Sequence, residues 1–106
     1  MNEMTDRYCI IIIMNSSFEW DPVKEETNIR KHDVSFEEAS SVFDDPMFIT
    51  VLDEEHSSDE ERYITIGLSN KNRLLLVAHT ERRDSIRIIS ARKVTKNEEK
   101  FYQEAG

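Results

Sequence analysis

At Met47 the hydrophobic period of this chain changes to two, and it stays near two as far as Ala91. Four segments carry it: Met47–Asp53, Glu61–Ser69, Arg73–Thr80 and Ser85–Ala91. Alternation of apolar and polar side chains is the mark of a strand with one face buried. The joins, Glu54–Glu60, Asn70–Asn72 and Glu81–Asp84, are short. Parallel neighbours need a long crossover, so joins this short specify antiparallel hairpins. Leu74–Ala78 is apolar without a break, which suits a central strand covered on both faces. The rest of the chain must supply that cover.

The preceding residues read as helical. Phe18-Glu19-Trp20 is a short strand, and Trp20 is a core anchor. Asp21-Pro22 is a helix start, with Asp as N-cap and Pro in the first turn. Val23–His32 follows as a polar helix, and Asp33 falls where it must stop in an unusual backbone angle. Ser35-Phe36-Glu37-Glu38 has the capping-box pattern, opening a helix over 36–44 that Asp44-Asp45-Pro46 ends. Thr95-Lys96-Asn97-Glu98 is a second capping box, opening a last helix to Glu104. The expected fold class is α+β: N-terminal helices and a C-terminal helix packed on a four-stranded, mainly antiparallel sheet, with the helices on one face.

A chain of 106 residues has room for one domain. Residues 18–106 are read as that domain. Residues 1–17 are an extension or an extra strand, with β-branched Ile10–Ile13 as the strand candidate. The one cysteine, Cys9, has no internal disulfide partner, and the chain shows no secretory signal. Both point to a reducing, cytoplasmic setting. The longest apolar run, Cys9–Met14, is far shorter than a membrane span.

Charge divides the chain more sharply than its net −8 suggests. Residues 1–61 hold 4 Lys/Arg against 17 Asp/Glu, and residues 62–100 hold 10 against 4. The acidic whole disfavours indiscriminate polyanion binding. The basic third permits a confined anion site, or a docking face for an acidic partner.

The sequence has no Gly-rich phosphate loop, no CxxC and no HExxH, and His32, His56 and His79 have no metal-ligand spacing. A metal site assembled by the fold has no support in these spacings, so the chemistry is sought in side chains alone. RNA cleavage without metal needs a base for the 2′-hydroxyl, cations for the phosphorane and an acid for the leaving oxygen. His56, His79 or Glu61 suit the proton transfers. Arg62, Arg82 and Arg92 suit the phosphate through their rigid forks of donors, and Tyr102 suits base stacking. Each has a plainer reading: surface ion pairs for the arginines, a structural histidine for His79, a helix-docking tyrosine for Tyr102. Arg62 opens its strand and Arg92 closes its own, so register decides whether they converge.

The ordered set Phe18-Glu19-Trp20-Asp21-Pro22, Asn28, Lys31-His32, Val34-Ser35-Phe36-Glu37-Glu38-Ala39, Val42-Phe43, Asp45-Pro46, His56-Ser57, Glu60-Glu61-Arg62, Ile66-Gly67, Thr80-Glu81-Arg82, Ile86–Arg92 and Tyr102 resembles the BrnT toxins. The resemblance covers residues 18–102. It implies a RelE-like ribonuclease fold and the toxin half of a type II toxin–antitoxin pair. The implied activity is endoribonucleolytic inhibition of translation, without metal or cofactor. It also implies a ribbon-helix-helix antitoxin as partner, RNA as substrate, contact with DNA only through the antitoxin, and no membrane. Carried over by position, Glu61, Arg62, Arg82, Arg92 and His56 are the expected catalytic residues. Arg83, Arg87, Lys93 and Tyr102 are the expected RNA contacts. The alternative is a non-catalytic module whose basic third binds an antitoxin-like partner.

Overall fold

The computed structural model describes residues 17–105. The Ile10–Ile13 strand candidate lies outside them. Strand β1 is Ser17–Glu19, followed by helix α1, Pro22–His32, and helix α2, Phe36–Ser40. A 3-10 turn, Ser41–Asp44, leads to strand β2, Ile49–Leu52. After a second 3-10 turn, Glu54–His56, come strands β3, Tyr63–Leu68, β4, Leu74–Arg82, and β5, Ser85–Lys93, and then helix α3, Lys96–Ala105.

The sheet has five strands, in the order β1-β5-β4-β3-β2. Four were expected, mainly antiparallel. Those four are present as β2 to β5, and β1 joins them at the edge of β5 in parallel, Ser17 opposite Ser85 and Glu19 opposite Arg87. Such a pairing is made across the length of the domain, and three residues carry no local signal of it. β4 is central, as its apolar run requires: Leu75 and Val77 are fully buried and Leu76 nearly so.

Helix starts follow their sequence signals. The Asp21 side chain accepts from Val23 N at 2.9 Å, and Pro22 occupies the first turn. Asp33 ends α1 in the left-handed region, φ 59°, donating its N–H to Ile29 O. Ser35 caps α2 by accepting from Glu38 N at 3.0 Å. The expected helix over 36–44 tightens into 3-10 geometry at Ser41. There the Ser40 and Ser41 hydroxyls donate back to the Glu37 and Glu38 carbonyls, at 2.7 and 2.6 Å. Such local bonds compete with the regular helical ladder. At α3 the capping box is reciprocal: Thr95 N donates to Glu98 Oε1 and Glu98 N to Thr95 Oγ1.

The core lies between one sheet face and the N-terminal helices. Leu75, Val77, Ile86, Ile88 and Ala91 pack against Val34, Phe36, Ala39, Val42 and Phe43, with Phe18 and Trp20 at the margin. Trp20 meets Phe36 edge-on at 6.1 Å between ring centres. At Gly67 a Cβ would stand 3.0 Å from Val42 O and 3.1 Å from Val42 Cβ, so glycine lets the 3-10 turn lie on β3. The polar helix α1 buries only Asn28. Its amide donates to Val34 O and Ala91 O, both at 2.9 Å, and accepts from Ala91 N at 3.1 Å. These bonds tie α1 to β5 beyond the end of β1. By alternation Arg92 turns to the opposite face from Ala91, and its bond to Glu98 holds the start of α3 there. The helices therefore do not all share one face.

Candidate functional site

Strand register decides which cations share a neighbourhood. Tyr63 lies opposite His79 and Thr80 opposite Arg87. Arg62, just before β3, is thus level with Thr80. By alternation Arg62, Thr80 and Arg87 form a row across three strands, on the face opposite the helix-packed core. Arg82 lies two residues from Thr80 on that face, opposite Ser85. Arg83 forms the two-residue turn with Asp84 and carries φ 50°, a left-handed angle that costs any residue with a side chain.

Arg92 stands apart. β3 and β5 both run antiparallel to β4, so Arg62 and Arg92 occupy opposite ends of the sheet. Arg92 is level with Leu76, four residues from Thr80, or about 13 Å along the strand. Its guanidinium grips Glu98 with two bonds of 2.9 Å. That grip holds the Glu98 carboxyl down at about 2. Lys93, beside it, is exposed at the end of β5.

Other expected residues are also placed. Glu61 is exposed and accepts from Tyr63 Oη at 3.1 Å, on the face that Tyr63 and His79 share. Arg62 alternates to the other face. His56 lies in the turn between β2 and β3, its Nδ1 2.9 Å from Asp53 Oδ2. Asp53 N donates to Arg62 O, and Arg62 N donates to Ser57 Oγ, so the His56 turn is fastened to the backbone of Arg62. Tyr102 donates its hydroxyl to Asp45 Oδ2 at 2.6 Å, and this bond pushes the phenol up to about 12. The geometry matches its helix-docking reading.

Ion pairing further distinguishes the arginines. Arg82 meets Glu60 at 3.4 Å and Arg87 meets Glu19 at 3.3 Å, both at the surface. Arg62 has no ion pair among the described residues. Thr80 Oγ1, between Arg62 and Arg87, is buried without a hydrogen-bond partner. Alternation places Thr80 beside Arg82 on this face, and no motif in the sequence marks it further.

His79 is fully buried. Its Nε2 is 2.7 Å from Thr65 Oγ1, which lies 2.7 Å from Thr50 Oγ1, while Nδ1 has no partner. Phe43 meets the ring edge-on and Tyr63 stacks on it. Burial lowers its pKa to about 4, so it is neutral at pH 7 and faces away from the arginine row. This is a structural histidine. Asp53, Glu55 and His56 bring possible metal-ligand atoms within 4.8 Å of one another. The Asp53–His56 hydrogen bond accounts for one of these approaches.

The family model described as "Ribonuclease toxin, BrnT, of type II toxin-antitoxin system" matches residues 20–98. The chain belongs to the BrnT family. Membership implies a cognate antitoxin as partner. The BrnT match takes in Arg62, Arg82, Arg87 and Arg92 and stops before Tyr102. The crystal structure of the Brucella abortus ribonuclease toxin BrnT, at 1.1 Å resolution, has the same fold. Its TM-score is 0.58 at 21% identity, over 74% of this chain and 96% of that one. No curated protein matches the chain. Among the described residues no helix is long and apolar enough to cross a membrane.

Proposed function

We propose that this BrnT-family chain is an endoribonuclease that cuts single-stranded RNA at the arginine end of its sheet and so inhibits translation. The observation that carries this reading is the row of Arg62 and Arg87 across β3, β4 and β5, with Arg82 beside it on the same face. A base takes the proton of a 2′-hydroxyl, and the oxygen attacks the adjacent phosphorus in line. The bond to the 5′ oxygen breaks, an acid protonates that oxygen, and a 2′,3′-cyclic phosphate and a 5′-hydroxyl remain. Arg62, Arg82 and Arg87 hold the phosphate and offset the charge that builds on it. Guanidinium groups supply that charge, so the scheme uses no metal. His56, on the turn fastened to Arg62, serves proton transfer, and Arg83 contacts the flanking backbone. The surface pairs of Arg82 and Arg87 contribute about 1 kcal/mol or less each, so a phosphate displaces Glu60 and Glu19 at small cost. The partner is a ribbon-helix-helix antitoxin, through which the pair reaches operator DNA in the cytoplasm.

A second reading rests on the same ion pairs. Arg82, Arg87 and Arg92 each have their own carboxylate, as interface or structural residues do. In that case the chain binds its antitoxin without cutting RNA.

Induced expression in a bacterial host separates the two. Growth arrest with RNA cleavage, lost in Arg62→Ala and Arg82→Ala variants that keep the parent circular dichroism, supports the ribonuclease. Removing one such donor lowers the rate by about 10²–10³. Two folded variants that remain fully toxic would show the site to be misplaced.

A further inference from the structure

A groove of about 300 Å³ lies between α1 and β5, away from the arginine row. Lys24, Lys31 and His32 line it from the helix, together with Thr27, and Ile89 and Ser90 line it from the strand. No carboxylate lines it. None of the three basic residues makes an ion pair among the described residues. The chain as a whole carries a net charge of −8, so a hollow lined by two lysines and no carboxylate runs against its overall balance. Lys24 and Lys31, set around one hollow, repel one another, and an anion relieves that repulsion.

The strand side explains why the groove opens here. Ala78 pairs with Ser90 and His79 with Ile88, so Ile89 is an extra residue that bends β5 outward. β1 has already ended, since it pairs only as far as Arg87. Ser90, three residues past Arg87, lies about 10 Å from it along the strand. It lines the groove, and its register with Ala78 gives it the face of the arginine row. Lys24 and Lys31, seven residues apart on one helix, are separated by about 10 Å. The basic residues thus form a short track that continues from the row around the edge of β5.

We propose that this groove is a second phosphate-binding subsite, holding the stretch of single-stranded RNA next to the linkage cut at the arginine row. The subsite rests on the ribonuclease reading and adds the path of the substrate. An acidic chain repels a polyanion at long range, so its affinity must come from local groups of cations, and this groove gathers two with no carboxylate in its lining. The lining favours nucleic acid over a protein segment. Its cations and hydroxyls suit phosphate oxygens, Val23 and Ile89 add apolar surface beside them, and it offers no Trp, Tyr or Phe to anchor a protein interface. Lysine, a point charge on a flexible stem, suits holding a backbone rather than orienting one reacting phosphate.

The test uses 2′-O-methyl oligonucleotides, which lack the nucleophile and are not cut. Fluorescence anisotropy compares a trinucleotide and a dodecanucleotide on the full chain and on a Lys24→Gln/Lys31→Gln variant. Circular dichroism confirms that the variant is folded. Neutralising two phosphate contacts makes the salt dependence of dodecanucleotide binding shallower by about 1.4 in log–log slope and lowers its affinity at least about tenfold at low salt. Trinucleotide affinity stays within about twofold, because that ligand spans only the arginine row. An unchanged slope for the longer ligand overturns the subsite, as does an equal loss for both lengths. Intact RNA binding with lost antitoxin binding assigns the groove to the protein partner and also overturns it. A parent chain that binds neither oligonucleotide removes the ribonuclease reading and the subsite with it.

Discussion

Replacing Glu38 with alanine tests how α2 is fixed to the sheet. Glu38 is 3% exposed and accepts from Ser69 Oγ at 2.7 Å, from Arg73 Nε at 2.9 Å and from Arg73 Nη2. The hydrogen bonds from Arg73, before all other causes, hold its carboxyl below the usual range. Glu38→Ala leaves Arg73 with the Asp33 carbonyl at 2.8 Å and the exposed Asp33 carboxylate at 3.7 Å. Breaking a buried pair by removing one partner costs about 3–5 kcal/mol. Arg73 is 24% exposed and gains water when orphaned, so the cost here is about 3 kcal/mol. In a domain of this size that lowers Tm by roughly 12–15 °C. Urea unfolding of Glu38→Ala, Arg73→Ala and the double variant gives the coupling directly, about 2 kcal/mol for groups in one network. Acid supplies an independent check. A carboxyl whose folded pKa is depressed stabilises fully above its unfolded value of about 4.5, and the effect is lost as pH falls through the lower folded value. The gap between the parent and Glu38→Gln therefore closes below pH 4.5. A single-variant cost under about 1 kcal/mol, or an additive cycle, refutes the reasoning.

Three further outcomes are expected. His79 has its folded pKa lowered to about 4 from the usual 6.5, so its contribution is complete above pH 6.5 and is lost as pH falls toward 4. The loss is about 3 kcal/mol, read from urea midpoints between pH 7.5 and pH 4, and His79→Gln removes most of that slope. Gly67→Ala forces a Cβ against Val42 O and Val42 Cβ, both fixed in the 3-10 turn, and lowers unfolding free energy by about 1–3 kcal/mol. Asp33→Gly relieves the left-handed residue that ends α1 and raises stability by about 0.5 kcal/mol, measurable as a small rise in Tm.

Features fixed by neighbours in the chain were legible in the sequence. The period of two located β2 to β5, Asp21 and Ser35 opened their helices, and Asp33 adopts the backbone angle its position demands. Features fixed by distant partners were not. β1 pairs with β5 across more than sixty residues of chain, and nothing in Ser17–Glu19 records it. Glu38 occupies the third position of a capping box, yet its carboxylate turns to Arg73 and Ser69 instead of the Ser35 backbone. The stronger charge-assisted partner wins, and it lies 35 residues away. The candidate site follows the same rule. That Arg62, Arg82 and Arg87 share a face depends on hairpin register, and so does the separation of Arg92. Composition announced a basic third but not which of its cations were already engaged.

The Asn28 amide has a consequence for how this molecule meets others. Past its third residue β1 gives out, and the remainder of β5 would present a raw edge to any passing strand. Asn28 offers that edge both a donor and an acceptor at Ala91, standing in for one rung of a missing strand. A plugged margin cannot recruit a foreign chain by backbone pairing. At the far rim β2 is an edge strand, and a partner that adds a strand can pair there.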